Sequence, residues 1–136
     1  MDFLRSIQVA ASGLKAQSGR MRIIAENIAN ADSTASTAGA DPYRRKVPTF
    51  KTSFDAELGA QLVELGRVQR DNTDFQSKYM PGHPAANAQG YVRTPNVNTL
   101  VEQMDLREAQ RSYEANLGVI GATRRMLART LDILRA

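Results

Sequence analysis

The sequence has no cysteine, no tryptophan and a single histidine, His83, in 136 residues. Without cysteine the chain cannot form a disulfide, a thiolate nucleophile or a cysteine-type zinc or iron–sulfur site. One histidine leaves no histidine-based metal cluster, and we expect His83 to be an exposed loop residue. Four aspartates of the middle of the chain follow no known metal-ligand spacing: Asp41, Asp55, Asp71 and Asp74. We therefore expect no catalytic residue, no metal, no cofactor and no enzymatic activity.

The formal net charge of +4 is spread along the chain rather than concentrated in one segment. Residues 1–31, 32–98 and 99–136 carry net charges of +2, +1 and +1. The one dense basic run, residues 44–46, is too short for the phosphate track that nucleic-acid binding requires. We expect no nucleic-acid partner.

Long apolar runs are also missing, since no segment approaches the roughly 18 apolar residues that span a membrane. The uncharged stretch near the start, Ser6–Leu14, is interrupted by polar residues and lacks the apolar core of a signal peptide. We expect no membrane insertion and no cleaved signal peptide.

Proline and aromatic residues divide the chain into three parts. All five prolines and six of the eight aromatic residues lie between residues 42 and 95. The two ends are proline-free and rich in Ala, Leu, Ile and Arg, which favours helices. We predict an N-terminal helix in residues 1–31, a loop and β-hairpin region in 32–96 and a C-terminal helix in 97–136. The predicted fold class is mainly α with a small β region, and the terminal helices pack together like a coiled coil in one structural unit.

Both ends carry residues at alternating spacings of three and four, which is a heptad pattern. This period of 3.5 residues places them on one side of a helix and is typical of helices that supercoil with a partner. We call these positions the seam and predict that they mediate assembly: Leu4, Ile7, Ala11, Leu14, Met21, Ile28, Tyr113, Leu117, Ile120, Leu127, Leu131 and Leu134. Gln110 and Arg124 are polar residues at seam positions of the C-terminal helix.

The N-terminal heptad pattern also contains small residues, among them Ala11, Ser18 and Ala25. Because small side chains bury little apolar area, two such helices form a weak pair on their own. The helices are also too long for residues 32–96 to cover. We therefore favour assembly with neighbouring subunits, and an ordinary helix pair inside a small α+β domain remains the alternative.

The middle region shows the patterns of strands and turns. Four short segments combine aliphatic, β-branched or aromatic residues, and we predict strands there: Arg45–Phe54, Gln61–Val68, Phe75–Met80 and Tyr91–Val92. A turn at Met80–Pro84 is expected to place Gly82 at positive φ. Asn30 is expected to end the first helix in the left-handed conformation, and the small-residue segment Ser33–Ala40 is expected to be a mobile loop.

Three motifs resemble those of bacterial flagellar rod, hook and related axial proteins. They are AENIANADS at residues 25–33, GYVRTPNVN at 90–98 and SYEANL at 112–117, with YMPGHP at 79–84 between the first two. The resemblance spans nearly the whole chain, and the length and second motif are similar to those of a short basal-body rod protein. The residues that match the family motifs are Asn27, Asn30, Ala31, Asp32, Gly90, Tyr91, Pro95 and Asn96.

The resemblance implies a structural, non-enzymatic subunit of the flagellar basal body. It implies export from the cytoplasm by the flagellar type III apparatus, without a cleaved signal peptide, and polymerisation into the proximal rod, which crosses the periplasm and transmits torque. The terminal helices are then expected to form an inner layer around the export channel. Motif residues are expected to fix the joins between these helices and the middle region. The implied partners are copies of the chain, other flagellar rod proteins and the adaptor proteins of the MS ring and export gate.

Three other interpretations share part of the pattern. A generic coiled-coil adaptor, or another member of the axial family, shares the seam but does not require GYVRTPNVN. A nucleic-acid binder requires a concentrated basic face. A small hydrolase requires a site around His83.

Overall fold

The computed structural model describes residues 2–135, so the ends of the predicted segments at residues 1 and 136 lie outside the described residues. Within this range two long helices flank six short strands. The helices are α1 (Phe3–Ala29) and α2 (Thr99–Arg135). The strands are β1 (Lys46–Val47), β2 (Phe50–Asp55), β3 (Ala60–Leu65), β4 (Gln69–Arg70), β5 (Gln76–Tyr79) and β6 (Tyr91–Thr94). The predicted fold class, mainly α with paired terminal helices and a small β region, is confirmed.

Each helix begins at an acidic or amide side chain that caps its free N–H groups. Asp2 Oδ1 accepts the N–H of Arg5 at 3.2 Å, and Asn98 Oδ1 accepts the N–H of Leu100 at 3.1 Å. The helices contain 27 and 37 residues, so they are about 40 and 55 Å long at the usual rise per residue.

The prediction that Asn30 ends α1 in the left-handed conformation is wrong, because no described residue other than glycine has a positive φ. Instead the backbone N–H and the side-chain amide of Asn30 both donate to the carbonyl of Glu26, at 3.1 and 2.8 Å. The carbonyl of Asn30 then accepts the N–H of Ser33 at 3.1 Å and its hydroxyl at 2.8 Å. These bonds continue the right-handed turn and make a left-handed residue unnecessary.

The six strands pair as three antiparallel two-stranded sheets, namely β1 with β4, β2 with β3 and β5 with β6. The predicted strand Arg45–Phe54 is divided at Pro48, because proline has no N–H to donate to a neighbouring strand. Its two parts pair with different strands. At the division the N–H of Gly66 donates to the carbonyl of Thr49 at 2.6 Å.

The chain packs as two compact units. Unit 1 contains the β2–β3 hairpin and consists of Met1–Met21, Thr49–Arg67 and Arg107–Ala136. Unit 2 contains the other two sheets and consists of Arg22–Pro48 and Val68–Leu106.

In unit 1 the β2–β3 hairpin lies against α1. The N–H of Val63 donates to the Ser12 hydroxyl at 3.2 Å. Gly19 leaves room for Leu65, because a Cβ at residue 19 would lie 2.9 Å from Leu65 Cδ2. The hairpin therefore depends on small residues of α1 for its close approach.

The two helices pair in an antiparallel direction in unit 1. A Cβ at Gly13 would lie 2.9 Å from the amide nitrogen of Asn116, so Asn116 packs directly on the α1 backbone. Further along α1, Arg20 lies 3.7 Å from the carboxylate of Glu108. Small and polar side chains thus form both of these contacts.

Buried apolar residues among the described residues are mostly small: Ala10, Ala16, Ile23, Ile24, Ala31, Ala85, Val92, Val97 and Ala109. Since burial of alanine removes little apolar area from water, polar contacts must supply a large share of the packing specificity. Neither helix within residues 2–135 has a stretch that is both long and apolar enough to cross a membrane.

The predicted turn at Met80–Pro84 forms, with the N–H of His83 donating to the carbonyl of Met80 at 3.1 Å. Gly82 does not have the predicted positive φ, which a type I turn does not require. The positive φ near this turn belongs to Gly90, at 83°. A Cβ at residue 90 would lie 2.8 Å from the Tyr79 ring and 3.1 Å from Pro81 Cβ.

These two glycines give a matched test of the hairpin. We expect Gly90→Ala to lower the free energy of unfolding by about 1–3 kcal/mol, because a side chain is strained at this φ and meets Tyr79. Gly82→Ala is the control, since open space surrounds its Cβ position and its φ is ordinary. Urea denaturation of both variants measures the difference, and equal stabilities would contradict the assigned backbone conformation.

Candidate assembly surface

The side chain of Asn27, in the first family motif, is completely buried in unit 2. Its Oδ1 accepts the Tyr43 hydroxyl at 2.8 Å and the backbone N–H of Lys46 at 3.0 Å. Its Nδ2 donates to the carbonyl of Lys46 at 2.8 Å and to Glu102 Oε2 at 3.0 Å. All four hydrogen-bonding positions of the amide are therefore used, which offsets the cost of burying it.

Glu102, on α2, is 1% exposed and receives a charged partner from the loop before β1. Arg45 Nε donates to Glu102 Oε1 at 2.5 Å, and another guanidinium nitrogen lies 3.3 Å from Asp71. A buried carboxylate is stable only when it is paired and hydrogen-bonded, and Asn27 and Arg45 meet both requirements.

Asn96, in the second family motif, connects the same loop to the segment after β4. Its Oδ1 accepts the N–H of Arg45 at 2.8 Å, while its Nδ2 donates to the carbonyl of Asp71 at 3.1 Å and to the Thr73 hydroxyl at 3.0 Å. We call the whole set the Asn27 network: Asn27, Tyr43, Arg45, Lys46, Asp71, Asn96 and Glu102.

Burial, hydrogen bonds and neighbouring charges shift the pKa values of three network residues. Burial, together with the negative charges of Glu26 and Glu102, raises the pKa of Tyr43 to about 12. Backbone and side-chain hydrogen bonds from Thr73, with a smaller contribution from Arg45, lower the pKa of Asp71 against the opposing effect of burial. Burial acts to lower the pKa of Arg45, but Glu102 and Asp71 outweigh it and the pKa is raised. Within the network these shifts favour a neutral Tyr43 phenol, an ionised Asp71 carboxylate and a charged Arg45 guanidinium.

The other motif residues have structural roles near the network. Ala31 is buried after the end of α1, and Asp32 is exposed beside it. Pro95 is fully buried between β6 and α2. Tyr91 is 47% exposed and stacks edge-on against Tyr79, with ring centroids 5.3 Å apart.

His83 is half-buried, so the prediction of an exposed loop histidine is wrong. Its Nδ1 accepts the N–H of Ala85 at 3.1 Å, so Nε2 carries the proton and donates to the Thr34 hydroxyl at 3.1 Å. The segment Ser33–Ala40 is therefore attached to the Met80–Pro84 turn. Within residues 2–135, no three histidine or acidic side chains are grouped so that they could hold a metal ion.

Helix α1 uses two heptad faces for contacts inside the chain. Residues spaced seven apart lie against the β2–β3 hairpin, and we call them the hairpin face: Arg5, Ser12 and Gly19. The next positions contact α2, and we call them the partner face: Gly13, Arg20 and Asn27.

A third heptad face of α1 is exposed, and we call it the outer face: Leu4, Ala11, Ser18 and Ala25. The intervening seam residues of α1 are half-buried: Ile7, Leu14, Met21 and Ile28. The larger apolar stripe of α1 is thus only partly covered within the chain, while the small and polar partner face lies inside.

Helix α2 shows the same arrangement. Its inward heptad positions are Glu102, Ala109, Asn116 and Thr123, of which all but Asn116 are at most 3% exposed. Among the seam residues, Tyr113 and Ile120 are half-buried and the remainder are exposed: Leu117, Leu127, Leu131 and Leu134. Every residue from 124 to 135 is exposed, and we call this segment the α2 tail.

Sequence reasoning missed Arg45 and Glu102 as members of the site. Glu102 carried only a weak signal, because it lies seven residues before Ala109 on a heptad stripe that the sequence alone does not mark as the inward one. Arg45 carried none, since it stands in a basic run and its partners are 26 and 57 residues away along the chain.

Two protein-family models match the two ends of the chain, which contain the terminal helices. The family model described as flagella basal body rod protein matches residues 7–35. The model described as flagellar basal body rod FlgEFG protein C-terminal matches residues 88–133. The first segment includes most of α1 and the first motif, and the second includes most of α2 and the second and third motifs.

Curated relatives cover nearly the whole chain. A flagellar basal-body rod protein FlgC from Agrobacterium fabrum is 52% identical over 129 residues, which is 95% of this chain and 93% of that protein. FlgC from Bacillus subtilis is 38% identical and covers 98% of this chain and 99% of its own length. FlgC from Salmonella typhimurium is 35% identical and covers 98% of each.

Paired terminal helices, a partly uncovered heptad stripe and both rod-protein matches define a structural protein of the flagellar axial class rather than an enzyme. Within that class, the chain belongs to the FlgC family of flagellar basal-body rod proteins. It is a structural subunit of the flagellar basal-body rod.

The raised pKa of Tyr43 gives a test of the Asn27 network. A neutral phenol favoured by the fold contributes stability that is fully present below the unfolded pKa of 10.0 and is lost as pH rises to about 12. We expect Tyr43→Phe to lose about 1 kcal/mol at neutral pH, because one hydrogen bond to Asn27 is removed, and to show a smaller further loss above pH 10. Urea denaturation at a series of pH values measures both effects.

Tyr79→Phe is the control, because it removes a hydroxyl from a ring that is 63% exposed. It should keep the alkaline loss of stability seen in the unmodified chain. If Tyr43→Phe loses as much stability at alkaline pH as the unmodified chain, ionisation of Tyr43 is not the cause of that loss.

Proposed function

We propose that the chain polymerises into the proximal rod through its terminal helices, which surround the export channel, and that the rod transmits torque. The observation that carries this proposal is the uncovered seam. The outer face of α1 and the whole α2 tail are exposed, although both contain apolar residues in heptad order. A heptad stripe of this kind needs a further helix to bury it.

The α2 tail supports the proposal most strongly. Its apolar side chains are 38–77% exposed: Met126, Leu127, Leu131, Ile133 and Leu134. The arginines of the tail lie mainly on the other side of the helix. An isolated helix of this length is only marginally stable in water, so neighbouring helices must both cover and stabilise it.

The composition of the partner faces supports coupling of folding to polymerisation. Gly13 and Asn116, like Arg20 and Glu108, bury little apolar surface inside the chain. The pairing within the chain therefore stabilises the terminal helices only in part, and contacts with neighbours complete their stabilisation, as in other chains that gain order on binding. A contact between unlike surfaces of identical subunits generates an open helical filament when it does not close into a ring.

We further propose that the partners are copies of this chain, other flagellar rod proteins and the adaptor proteins of the MS ring and export gate. The names of the relatives support the rod partners. We also propose export by the flagellar type III apparatus without a cleaved signal peptide. The burial of Ala10 and Ala16 supports this, because cleavage inside α1 would remove part of the packed structure.

A charge on the apolar side of the α2 tail tests the assembly role. We expect Leu127→Asp to abolish rod assembly and swimming in a complemented deletion strain, because the carboxylate would be buried against a neighbouring helix. The free energy of unfolding of the isolated chain should change by no more than about 0.5 kcal/mol, since the tail is exposed in it.

Ala128→Asp is the matched control. Residue 128 is adjacent and exposed, but it points about 100° away, to the side that carries Arg125 and Arg135. This variant should be exported and swim normally. Normal motility of Leu127→Asp, or an equal defect in both variants, would contradict the assignment of the apolar side to assembly.

A further inference from the structure

The contacts between α1 and α2 in unit 1 are made by small or polar side chains. Gly13 faces Asn116 and Arg20 faces Glu108 in unit 1, and Ala109 and Thr123 occupy other inward positions of α2. A shift by one heptad would remove Asn116 from the α1 backbone at Gly13, but that contact is small and buries little apolar area. Packing of these small side chains therefore selects the observed register only weakly.

The contact between Asn27 and Glu102 is the part of this interface that does not tolerate a shift. Both side chains are at most 1% exposed and are joined by a 3.0 Å hydrogen bond. A shift of one heptad would bring Ala109 opposite Asn27 in one direction and Pro95 in the other. In either case the Asn27 amide would lose an acceptor and the Glu102 carboxylate would lose its donor while buried.

Arg45 strengthens this selection because the middle of the chain delivers it to a fixed place. Its backbone N–H is bound by Asn96 at 2.8 Å, and its guanidinium reaches both Glu102 and Asp71. The carboxylate of Glu102 can therefore bind Asn27 and Arg45 together at only one position along the α1 axis.

We propose that Asn27 and Glu102, clamped by Arg45, set the heptad register of α1 against α2. They act as positioning residues within the chain and need not touch a neighbouring subunit. The register decides which seam residues of the two helices lie side by side on the outside. A single buried polar contact has the same effect in coiled coils, where it selects one alignment at some cost in stability.

Disulfide trapping measures the register directly, because the chain has no cysteine of its own. The pair Gly13→Cys with Asn116→Cys reports the observed register, since residue 116 packs on residue 13. Gly13→Cys with Thr123→Cys, or with Ala109→Cys, reports a shift of one heptad in either direction. In the otherwise unmodified full chain, only the 13–116 disulfide should form under mild oxidation.

Glu102→Met should change this result, because methionine fills a similar volume and accepts any register. Asn27 keeps its bonds to Lys46 and Tyr43 in this variant. We expect the ratio of shifted to observed disulfides to rise at least about tenfold, as for loss of one buried bond to a charged group. Glu102→Gln should keep the observed register, since its amide oxygen still accepts from Asn27.

Glu108→Met is the matched control, because the same substitution is made on α2 at a side chain that is 68% exposed. It should leave the 13–116 disulfide dominant. The proposal is overturned if Glu102→Met keeps the observed register while remaining helical by circular dichroism. If Glu102→Met unfolds, Glu102→Ala repeats the test, and loss of helicity in both variants also overturns the proposal by making the contact a requirement for folding.

Discussion

The buried amide of Asn27 has two donor and two acceptor positions, and unit 2 is arranged to meet all four. This requirement brings α1, the loop before β1 and α2 to one point. Arg45 is held there by Glu102 and Asn96, so the polar bonds are linked rather than independent. Because an unpaired amide or carboxylate at this depth is costly, the network favours a single arrangement of these three elements.

The same chemistry explains why the apolar seam is left uncovered. Polar and small residues form the contacts between α1 and α2 in unit 1. These contacts therefore bury little of the apolar surface of either helix. Leu4 of α1 and the leucines and isoleucine of the α2 tail remain exposed, and the other large seam residues of α1 are only half-buried. A rod subunit needs this division, since the surface that holds the chain together must differ from the surface that joins it to its neighbours.

The sequence predicted the helices and strand regions well, because heptad spacing, proline positions and turn residues act locally. It did not predict which heptad stripe packs inside the chain. Apolar periodicity identifies the largest side chains. Leu14 and Leu127 were therefore predicted to be seam residues, whereas the inward positions Gly13, Ala109 and Thr123 were not predicted. Arg45, Asp71 and Glu102 meet only through tertiary structure, and a single sequence contains no local pattern that joins them. The β1–β4 pairing was missed because two-residue strands have no periodicity.

The central claim is that the outer face of α1 and the α2 tail are exposed in the single chain and buried in the rod. The most direct measurement is the reactivity of Ala25→Cys and Leu131→Cys towards a thiol reagent, in the purified chain and in isolated basal bodies. We expect rapid labelling of both residues in the purified chain and strong protection of both in the rod. Equal labelling in the two states would contradict it.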